Sequence, residues 1–387
     1  MDAENKTGPL KGLIVIDLTR VLAGPYASMI LSDLGARIIK VEPPLGDDSR
    51  EFSPFVNNQS AYFASLNREK ESIKLDLKSE KDKLIFEELI KNADVLLENY
   101  KPGTMEKLGY GYKSLMKKYP NIIYASCSGF GQTGPWASKP AYDMIVQGMG
   151  GLMSVTGHED QEPVRVGTSI GDITAGLFTT IGILASLIDK NKHGNGQAVD
   201  VSMLDCQIAI LENAIARYFA TGESPPPGGS RHPAIAPFEC YRCKDGYIVM
   251  ACGNNAMFQR MCKAINKSEL IEDKRFITNP MRVENVIELK QELENLFVTK
   301  NSNFWIEALE KENIPIGPLN NIEQAVNSEQ IKARNMVVNI EDENLTNFYV
   351  AGNPIKMSLH NDPNSRKKVP KLDEHRSKLL KEFKIKE

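Results

Sequence analysis

Residues 12–42, GLIVIDLTRVLAGPYASMILSDLGARIIKVE, hold two apolar segments separated by one with a helical period. The unbroken apolar run in GLIVIDL (12–18) is typical of a strand that is buried on both faces. RIIKVE (37–42) predicts the next strand, and the segment between them predicts a helix with Pro25 near its start. A strand, a helix and a second strand joined by short connections predict a parallel βαβ unit.

The same alternation continues through the first part of the chain. SIKLDL (72–77), DVLLENY (94–100) and NIIYASCSGF (121–130) predict further strands, and the amphipathic KSEKDKLIFEELIKNA (78–93) predicts a helix. Repeated units of this kind indicate an α/β fold with a Rossmann-like, doubly wound parallel sheet. The stretch after the first strand has one glycine where a dinucleotide fingerprint needs three, so the sequence does not support NAD binding.

Composition divides the rest of the chain. The segment 221–238 is rich in Pro and Gly and indicates a boundary, and residues 238–252 predict a hairpin that opens a smaller α+β domain. We therefore expect a large domain (1–205), a linker (206–230), a small domain (231–325) and a return linker (326–359). A C-terminal helix (about 360–387) is expected to complete the large domain.

The overall composition excludes several classes of protein. The 387 residues are 41 % hydrophobic and 25 % charged with a formal net charge of −3, which argues against a nucleic-acid partner. The N-terminus lacks the basic and apolar regions of an export signal. The longest apolar run, Leu177 to Ile188, is shorter than the roughly 20 residues of a membrane span. We therefore expect a cytoplasmic protein with no membrane partner.

The cysteines give no sign of a metal or redox site. Cys240 and Cys243 form a CxxC pair, but they fall on the first strand of the predicted hairpin. Positions i and i+3 of a strand point to opposite faces, so the two thiols would not converge on one ion. No second ligand pair follows at a suitable distance, and we expect no metal.

Asp172 lies between two glycines in SIGDITAG (169–176), at the start of a predicted helix over 173–190. The free N–H groups and the dipole of a helix N-terminus favour an ionised carboxylate. An aspartate at this place is also typical of an ordinary N-cap. Gly171 and Gly176 remove side chains around the carboxylate, where backbone could approach a bulky thioester. These residues alone leave a structural and a chemical role open.

Several motifs together carry a resemblance. In chain order they are the stretch 12–42, VLLENYKPGTMEKLG (95–109), KPAYDMIVQGMGGLMSVTG (139–157) and GDITAG (171–176). From about residue 10 to about residue 375 the chain resembles the class III CoA-transferases, which include formyl-CoA, carnitine and bile-acid CoA-transferases and are related to the α-methylacyl-CoA racemases.

The resemblance implies an acyl-CoA:carboxylate CoA-transferase with Asp172 as the nucleophile. It implies that Asp172 forms first an aspartyl–acyl anhydride and then an aspartyl-CoA thioester. The donor would be an acyl-CoA, and no metal or NAD would be needed. The stretch 231–258 resembles the branch that acts on dicarboxylates or hydroxy acids, which includes members that use succinyl-CoA as the donor. The family also forms interlocked homodimers, so we expect a homodimer here.

The resemblance further implies a set of residues that bind coenzyme A. They fall mostly at predicted strand ends, where α/β sheets bind ligands; the set is Val21, Leu22, Ala23, Leu75, Asp76, Leu77, Lys78, Asn99, Tyr100, Lys101, Lys107, Lys139, Tyr142 and Asp143. Lys107 replaces a family arginine, and Pro43 stands where formyl-CoA transferases carry a basic residue. Gly228 and Gly229 in PPPGGSRH are the candidate for a mobile active-site loop, with an inert linker as the alternative.

The racemase branch is the main alternative. Its members carry a histidine just before the aspartate of a GHD motif, which serves as a second base. Here that position is Tyr142, a much weaker base at neutral pH. His158 and His232 do not fall at the motif position. Transfer is therefore favoured over racemisation, and a non-catalytic CoA-binding protein is the second alternative.

Overall fold

The computed structural model describes residues 7–385, which form two compact units. The first unit contains the described residues up to Met153, together with Arg165–Ser224 and the chain from Glu329 onward. The second unit contains Ser154–Val164 and Pro225–Ser328.

The strands and helices follow in chain order, with 3₁₀ turns at Asp48–Glu51 and Leu152–Ser154. The strands are β1 (Ile14–Asp17), β2 (Arg37–Glu42), β3 (Phe55–Val56), β4 (Gln59–Ser60), β5 (Glu71–Lys74), β6 (Val95–Glu98), β7 (Ile123–Ser128), β8 (Ala198–Ser202), β9 (Phe238–Cys243), β10 (Gly246–Ala251), β11 (Ile316–Pro318), β12 (Val337–Glu341), β13 (Tyr349–Ala351) and β14 (Ser365–Lys367). The helices are α1 (Ala23–Asp33), α2 (Ala61–Asn67), α3 (Glu80–Lys91), α4 (Thr104–Leu108), α5 (Tyr112–Lys118), α6 (Asp143–Met149), α7 (Ile170–His193), α8 (Met203–Ile210), α9 (Glu212–Thr221), α10 (Asn255–Ala264), α11 (Glu269–Glu272), α12 (Asn279–Glu284), α13 (Val286–Phe297), α14 (Ser302–Glu310), α15 (Ile322–Asn327), α16 (Glu329–Ala333) and α17 (Arg376–Glu382).

The first unit is built on a parallel sheet in the order β5-β2-β1-β6-β7-β8. Neighbouring residues of β1 face opposite layers, as the two-residue period of a strand requires. Val15 packs in one core with Ala27 of α1 and Ile183 of α7. Ile16 packs in another core with Phe86 of α3. Helices cover both faces of the sheet, which confirms the predicted doubly wound α/β fold.

Helix α7 is the longest of the described helices, and it lies against α1, β7 and β8. By length and composition it is apolar enough to cross a membrane. Its buried residues, such as Ala175 and Ile183, pack into the cores of the first unit. The buried face of α7 therefore belongs to the core of the first unit.

The boundaries of the units differ from the predicted domain limits. Residues 206–224 were expected to be linker, but they form α9 and most of α8 and belong to the first unit. The return segment 326–359 contains β12 and β13, which complete a small sheet with the distant β14. That sheet depends on pairing with residues far along the chain, which local periodicity does not reveal. Residues 154–164 join the second unit, where the Gly229 N–H donates to the Gly157 carbonyl at 2.7 Å.

The second unit contains the predicted hairpin, with β9 and β10 antiparallel and β11 added at the edge of β10. Its core includes Tyr241 of β9 and Phe297 of α13. Cys243 is buried on β9 and Cys240 is partly exposed. Among residues 7–385, no group of three or more His, Cys, Asp or Glu side chains is arranged to hold a metal ion.

Candidate active site

Asp172 is the third residue of α7, and Ser169 is the N-cap of that helix. The backbone N–H of Ala23, the first residue of α1, lies near the half-buried Asp172 carboxylate and acts on it as a weak hydrogen-bond donor. Asp172 therefore does not act as an ordinary N-cap of its own helix.

Two glycines allow the helices to approach each other at this point. A Cβ atom at Gly176 would lie 2.7 Å from the Ala23 carbonyl oxygen of α1. A Cβ atom at Gly171 would lie 2.8 Å from the Val146 side chain of α6 and 3.0 Å from a carboxylate oxygen of Asp143. We expected these glycines to make room for a ligand. The contacts correct that interpretation, because both spaces are filled by the protein itself.

Asp143 provides a second carboxylate beside Asp172. Its Oδ1 accepts the Gly171 N–H at 2.8 Å, its Oδ2 accepts from the Gln147 amide at 2.7 Å, and Arg165 lies 3.5 Å away. Asp143 thus anchors the first turn of α7 through the residue next to Asp172. It belongs to the residues predicted to bind coenzyme A, but its carboxylate is engaged in contacts within the first unit.

The pKa of Asp172 is raised to about 7. The main cause is burial, which disfavours the charged carboxylate, and the negative charge of Asp143 adds to it. The hydrogen bond from Ala23 acts in the opposite direction but is the smallest contribution. The sequence had led us to expect that a helix N-terminus keeps Asp172 ionised. Burial and the second carboxylate outweigh that effect.

The loop between β1 and α1 contributes Leu18 and Arg20 to the lining of a cavity of about 400 Å³. The cavity lies at the carboxyl ends of β1, β2, β5 and β6, and its lining residues are Leu18, Arg20, Val41, Glu42, Pro43, Pro44, Leu75, Asp76, Leu77, Lys78, Tyr100, Lys101, Thr104 and Leu108. Arg20 and Ala23 are three residues apart, so their Cα atoms are separated by at most about 11 Å. Asp172 is not itself a lining residue of the cavity, and the short segment from Arg20 to Ala23 connects the two.

The predicted CoA-binding residues divide into two groups. Six of them, Leu75, Asp76, Leu77, Lys78, Tyr100 and Lys101, line the cavity. The others lie outside its lining: Lys107 is exposed on α4, Lys139 is exposed near the Trp136 ring, and Tyr142 is 75 % exposed just before α6. Val21 and Leu22 lie on the loop between Arg20 and Ala23, and Asn99 binds that loop through Arg20.

Sequence reasoning missed two residues of this region. Arg20 lines the cavity and lies 5.5 Å from the Tyr100 ring, and its position next to Val21 at a strand end was the available signal. Tyr62 of α2 gave no local signal. The pKa of Tyr62 is raised to about 12 by burial and then by the charges of Asp172, Asp47 and Asp143, so its phenol lies within electrostatic reach of Asp172.

Glu98 is a further buried carboxyl group near the cavity, at the end of β6. Burial raises its pKa to about 8, so it is mostly protonated at neutral pH. Its Oε2 accepts the Tyr100 N–H at 2.7 Å. Glu98 therefore helps to fix the backbone of a cavity residue rather than supplying a negative charge.

Gly228 and Gly229 lie in the second unit. Gly229 has a left-handed φ of 63°, and a Cβ there would meet the His158 ring at 2.7 Å. His232 stacks on Phe238 with ring centroids 5.1 Å apart. A mobile loop at Gly228 and Gly229 stays a prediction.

Comparisons with known proteins agree on one family. Residues 10–376 match the family described as CoA-transferase family III. The chain is 46 % identical to an acetyl-CoA:oxalate CoA-transferase of Acetobacter aceti, over 97 % of this chain and 96 % of that protein. It is 39 % identical to a succinyl-CoA:glutarate CoA-transferase of Mus musculus, over 97 % of this chain and 86 % of that protein.

A solved structure shows the same fold. A CAIB/BAIF family protein from Brucella suis superposes with a TM-score of 0.87 at 37 % identity, covering 98 % of this chain and all of that chain. This chain therefore belongs to CoA-transferase family III.

Proposed function

We propose that this CoA-transferase moves CoA from an acyl-CoA donor to a carboxylic acid through covalent intermediates on Asp172. The observation that carries the proposal is the Asp172 carboxylate itself. It has a pKa of about 7 and lies near the N–H of Ala23, the residue of α1 that follows the loop whose Arg20 lines the cavity. A carboxylate with this pKa is largely available as a nucleophile above neutral pH.

In the first half-reaction an Asp172 oxygen attacks the carbonyl carbon of the donor thioester. The carbon–sulfur bond breaks, which gives an aspartyl–acyl anhydride and CoA thiolate. The thiolate then attacks the aspartyl carbonyl carbon and displaces the donor acid, leaving an aspartyl-CoA thioester. The acceptor carboxylate attacks the carbonyl carbon of that thioester and releases the thiolate, which gives an anhydride between Asp172 and the acceptor. The thiolate then attacks the acceptor carbonyl carbon of this anhydride, which forms the acceptor acyl-CoA and frees the Asp172 carboxylate. The Ala23 N–H is the candidate donor to the oxyanion that forms at the aspartyl carbonyl.

Coenzyme A is proposed to occupy the 400 Å³ cavity. Arg20, Lys78 and Lys101 bring positive charge to its lining, which suits phosphate groups. Pro43 also lines the cavity but has no charge to offer a phosphate group. The three cations are therefore proposed to make the phosphate contacts.

The acceptor is proposed to be a small dicarboxylic acid. The named relatives act on oxalate and glutarate, and several use succinyl-CoA. The test incubates the protein with acetyl-CoA or succinyl-CoA and a panel of mono- and dicarboxylic acids, and follows each acyl-CoA by mass spectrometry. We expect CoA to move without net hydrolysis. Hydroxylamine added during turnover should leave a hydroxamate on the Asp172 peptide, and its persistent absence would refute the covalent route.

Racemisation is the competing outcome of the same assay. A 2-methylacyl-CoA without an acceptor would then exchange its α-proton for deuterium from the solvent. Tyr142 stands where the racemases carry a histidine base, and its side chain is 75 % exposed. A protein that only binds CoA would show neither reaction, although CoA would raise its melting temperature.

The homodimer is also a proposal. Helix α7 carries the exposed apolar side chains Leu177, Phe178, Ile181 and Ile188, and Phe219 of α9 is 80 % exposed. Apolar patches of this kind typically mark protein interfaces. Sedimentation equilibrium should give twice the mass of one chain, and the mass of a single chain at micromolar concentration would contradict the proposal.

The pH dependence of kcat/KM tests the role of Asp172 in the free enzyme. Because the ionised carboxylate attacks, kcat/KM should rise with pH through about 7 and then level off. Asp143→Asn keeps an acceptor for the Gly171 N–H but removes the negative charge that raises the pKa of Asp172. The acidic limb should therefore move to lower pH, and the variant should keep a several-fold larger share of its plateau activity at pH 5.5.

The matched control is Asp189→Asn. Asp189 is exposed near the far end of α7 and contacts His193. The acidic limb of kcat/KM in Asp189→Asn should coincide with that of the unmodified protein. An acidic limb that stays in place in Asp143→Asn would show that Asp172 is not the group that titrates.

A further inference from the structure

The loop between β1 and α1 is bound at successive peptide groups by side chains from other segments. The Lys40 Nζ of β2 donates to the Thr19 carbonyl at 2.7 Å. Asn99 accepts the Arg20 N–H at 2.9 Å and donates to the Arg20 carbonyl at 2.8 Å. Asp47 accepts the Val21 N–H at 3.2 Å. The last residue before α1 is Leu22, and the Ala23 N–H that follows reaches Asp172.

Val21 is the unusual residue of this loop. Its φ of 67° lies in the left-handed region, which a β-branched residue rarely adopts. Such a conformation costs free energy and persists only where the surroundings enforce it. The contacts on Thr19, Arg20 and Val21 are the surroundings that enforce it here.

Lys40 and Asp47 form a buried ion pair behind the loop. The Lys40 Nζ lies 2.8 Å from the Asp47 Oδ2, and both side chains are 0 % exposed. Asp47 is itself held in place, since its N–H donates to Glu42 at 3.0 Å and its Oδ1 accepts the Ser49 N–H at 2.9 Å. Because the desolvation of two charges offsets most of their attraction, a buried pair is weak evidence for stability alone.

We infer that Lys40 and Asp47 are positioning residues of the transfer reaction. They hold Val21 in its left-handed conformation, and that conformation directs the Ala23 N–H at the Asp172 carboxylate. The inference rests on the proposed role of Asp172 as the nucleophile. Asp47 contacts the loop at Val21 and Lys40 contacts it at Thr19, so their effect on Asp172 passes through the backbone of the loop.

The inference predicts a specific kinetic pattern for Asp47→Asn and Asp47→Ala. Both variants lose the charge that pairs with Lys40, but asparagine keeps an oxygen that can accept the Val21 N–H. We expect kcat to fall by about 10- to 100-fold in Asp47→Ala and by less in Asp47→Asn, with a much smaller change in the KM for acyl-CoA. Equal losses of kcat in the two variants, or a loss confined to KM, would overturn the inference.

A double-mutant cycle with Val21→Gly provides the decisive measurement. Glycine adopts a left-handed φ without the steric cost that valine has. In Val21→Gly the left-handed conformation therefore depends less on the contact with Asp47. The loss of kcat that Asp47→Ala causes should be several-fold smaller in the Val21→Gly protein than in the unmodified protein. If the two losses simply multiply, Asp47 does not act through Val21 and the inference fails.

Two controls separate positioning from folding. Asp33→Asn breaks another buried ion pair of the first unit, which joins Asp33 and Arg68 at 2.8 Å. Its melting temperature should fall while kcat, measured well below that temperature, is unchanged. If Asp47→Ala does not fold, Asp47→Asn and Lys40→Met are each combined with Val21→Gly in its place. If the unmodified protein forms no hydroxamate on Asp172, the proposed function is refuted. If the hydroxamate forms but the losses of kcat in the double-mutant cycle simply multiply, only this inference is refuted.

Discussion

Asp172→Ala should lose CoA transfer by a factor on the order of 10⁴ to 10⁶, because the proposed mechanism uses Asp172 as its covalent nucleophile and the variant keeps only binding and positioning. Asp172→Asn should lose as much. Its amide oxygen can still accept the Ala23 N–H, but it cannot form the anhydride. The measurement is the initial rate of acyl-CoA formation together with the mass of the peptide that carries residue 172 after hydroxylamine treatment.

The stability of Asp172→Asn distinguishes lost chemistry from lost folding. The pKa of Asp172 is raised by folding from 3.8 to about 7. A group with a raised pKa favours the folded state at low pH, and this contribution is lost as the pH rises through the folded value. At pH 8 the ionised Asp172 therefore destabilises the fold, and Asp172→Asn should melt at the same temperature or higher. An inactive variant with a much lower melting temperature would contradict this account.

Much of the first unit could be predicted from local patterns. The strands predicted at 12–18 and 37–42 are parallel neighbours in the sheet, and their apolar runs pack into cores on both of its faces. Helix α7 starts three residues earlier than the predicted 173. The sheet that joins β12 and β14 was not predicted, since its pairing connects segments that are distant in sequence.

The candidate site could also be predicted only in part from the sequence. The resemblance to a family predicted Asp172 as the nucleophile and named six strand-end residues that line the cavity. It did not reveal that burial and Asp143 together raise the pKa of Asp172, because that depends on how α6, α7 and α1 pack. Nor did it reveal the ion pair of Lys40 and Asp47, since a lysine inside an apolar strand gives no local sign of its partner.

Gly176→Ala should have the second largest effect on turnover. The added methyl group would lie 2.7 Å from the Ala23 carbonyl oxygen and 3.0 Å from the Tyr26 ring. A backbone oxygen cannot rotate away, so α1 must move relative to α7. A shift of about 1 Å at a reacting group can lower kcat by about 100-fold. Overpacking should also destabilise the fold by about 1–3 kcal/mol, partly offset by the better helix propensity of alanine.

The matched control is Gly167→Ala, because a Cβ atom at Gly167 has no neighbour within 4 Å. It should keep both its turnover and its melting temperature. In Gly176→Ala the hydrogen bond from Ala23 weakens, and that bond is the one contribution that lowers the pKa of Asp172. The acidic limb of kcat/KM should therefore move to higher pH, opposite to the shift in Asp143→Asn. A purely structural defect would reduce the amount of active protein and leave the limb in place, so the direction of the shift decides whether the contact between α1 and α7 serves the carboxylate or only the fold.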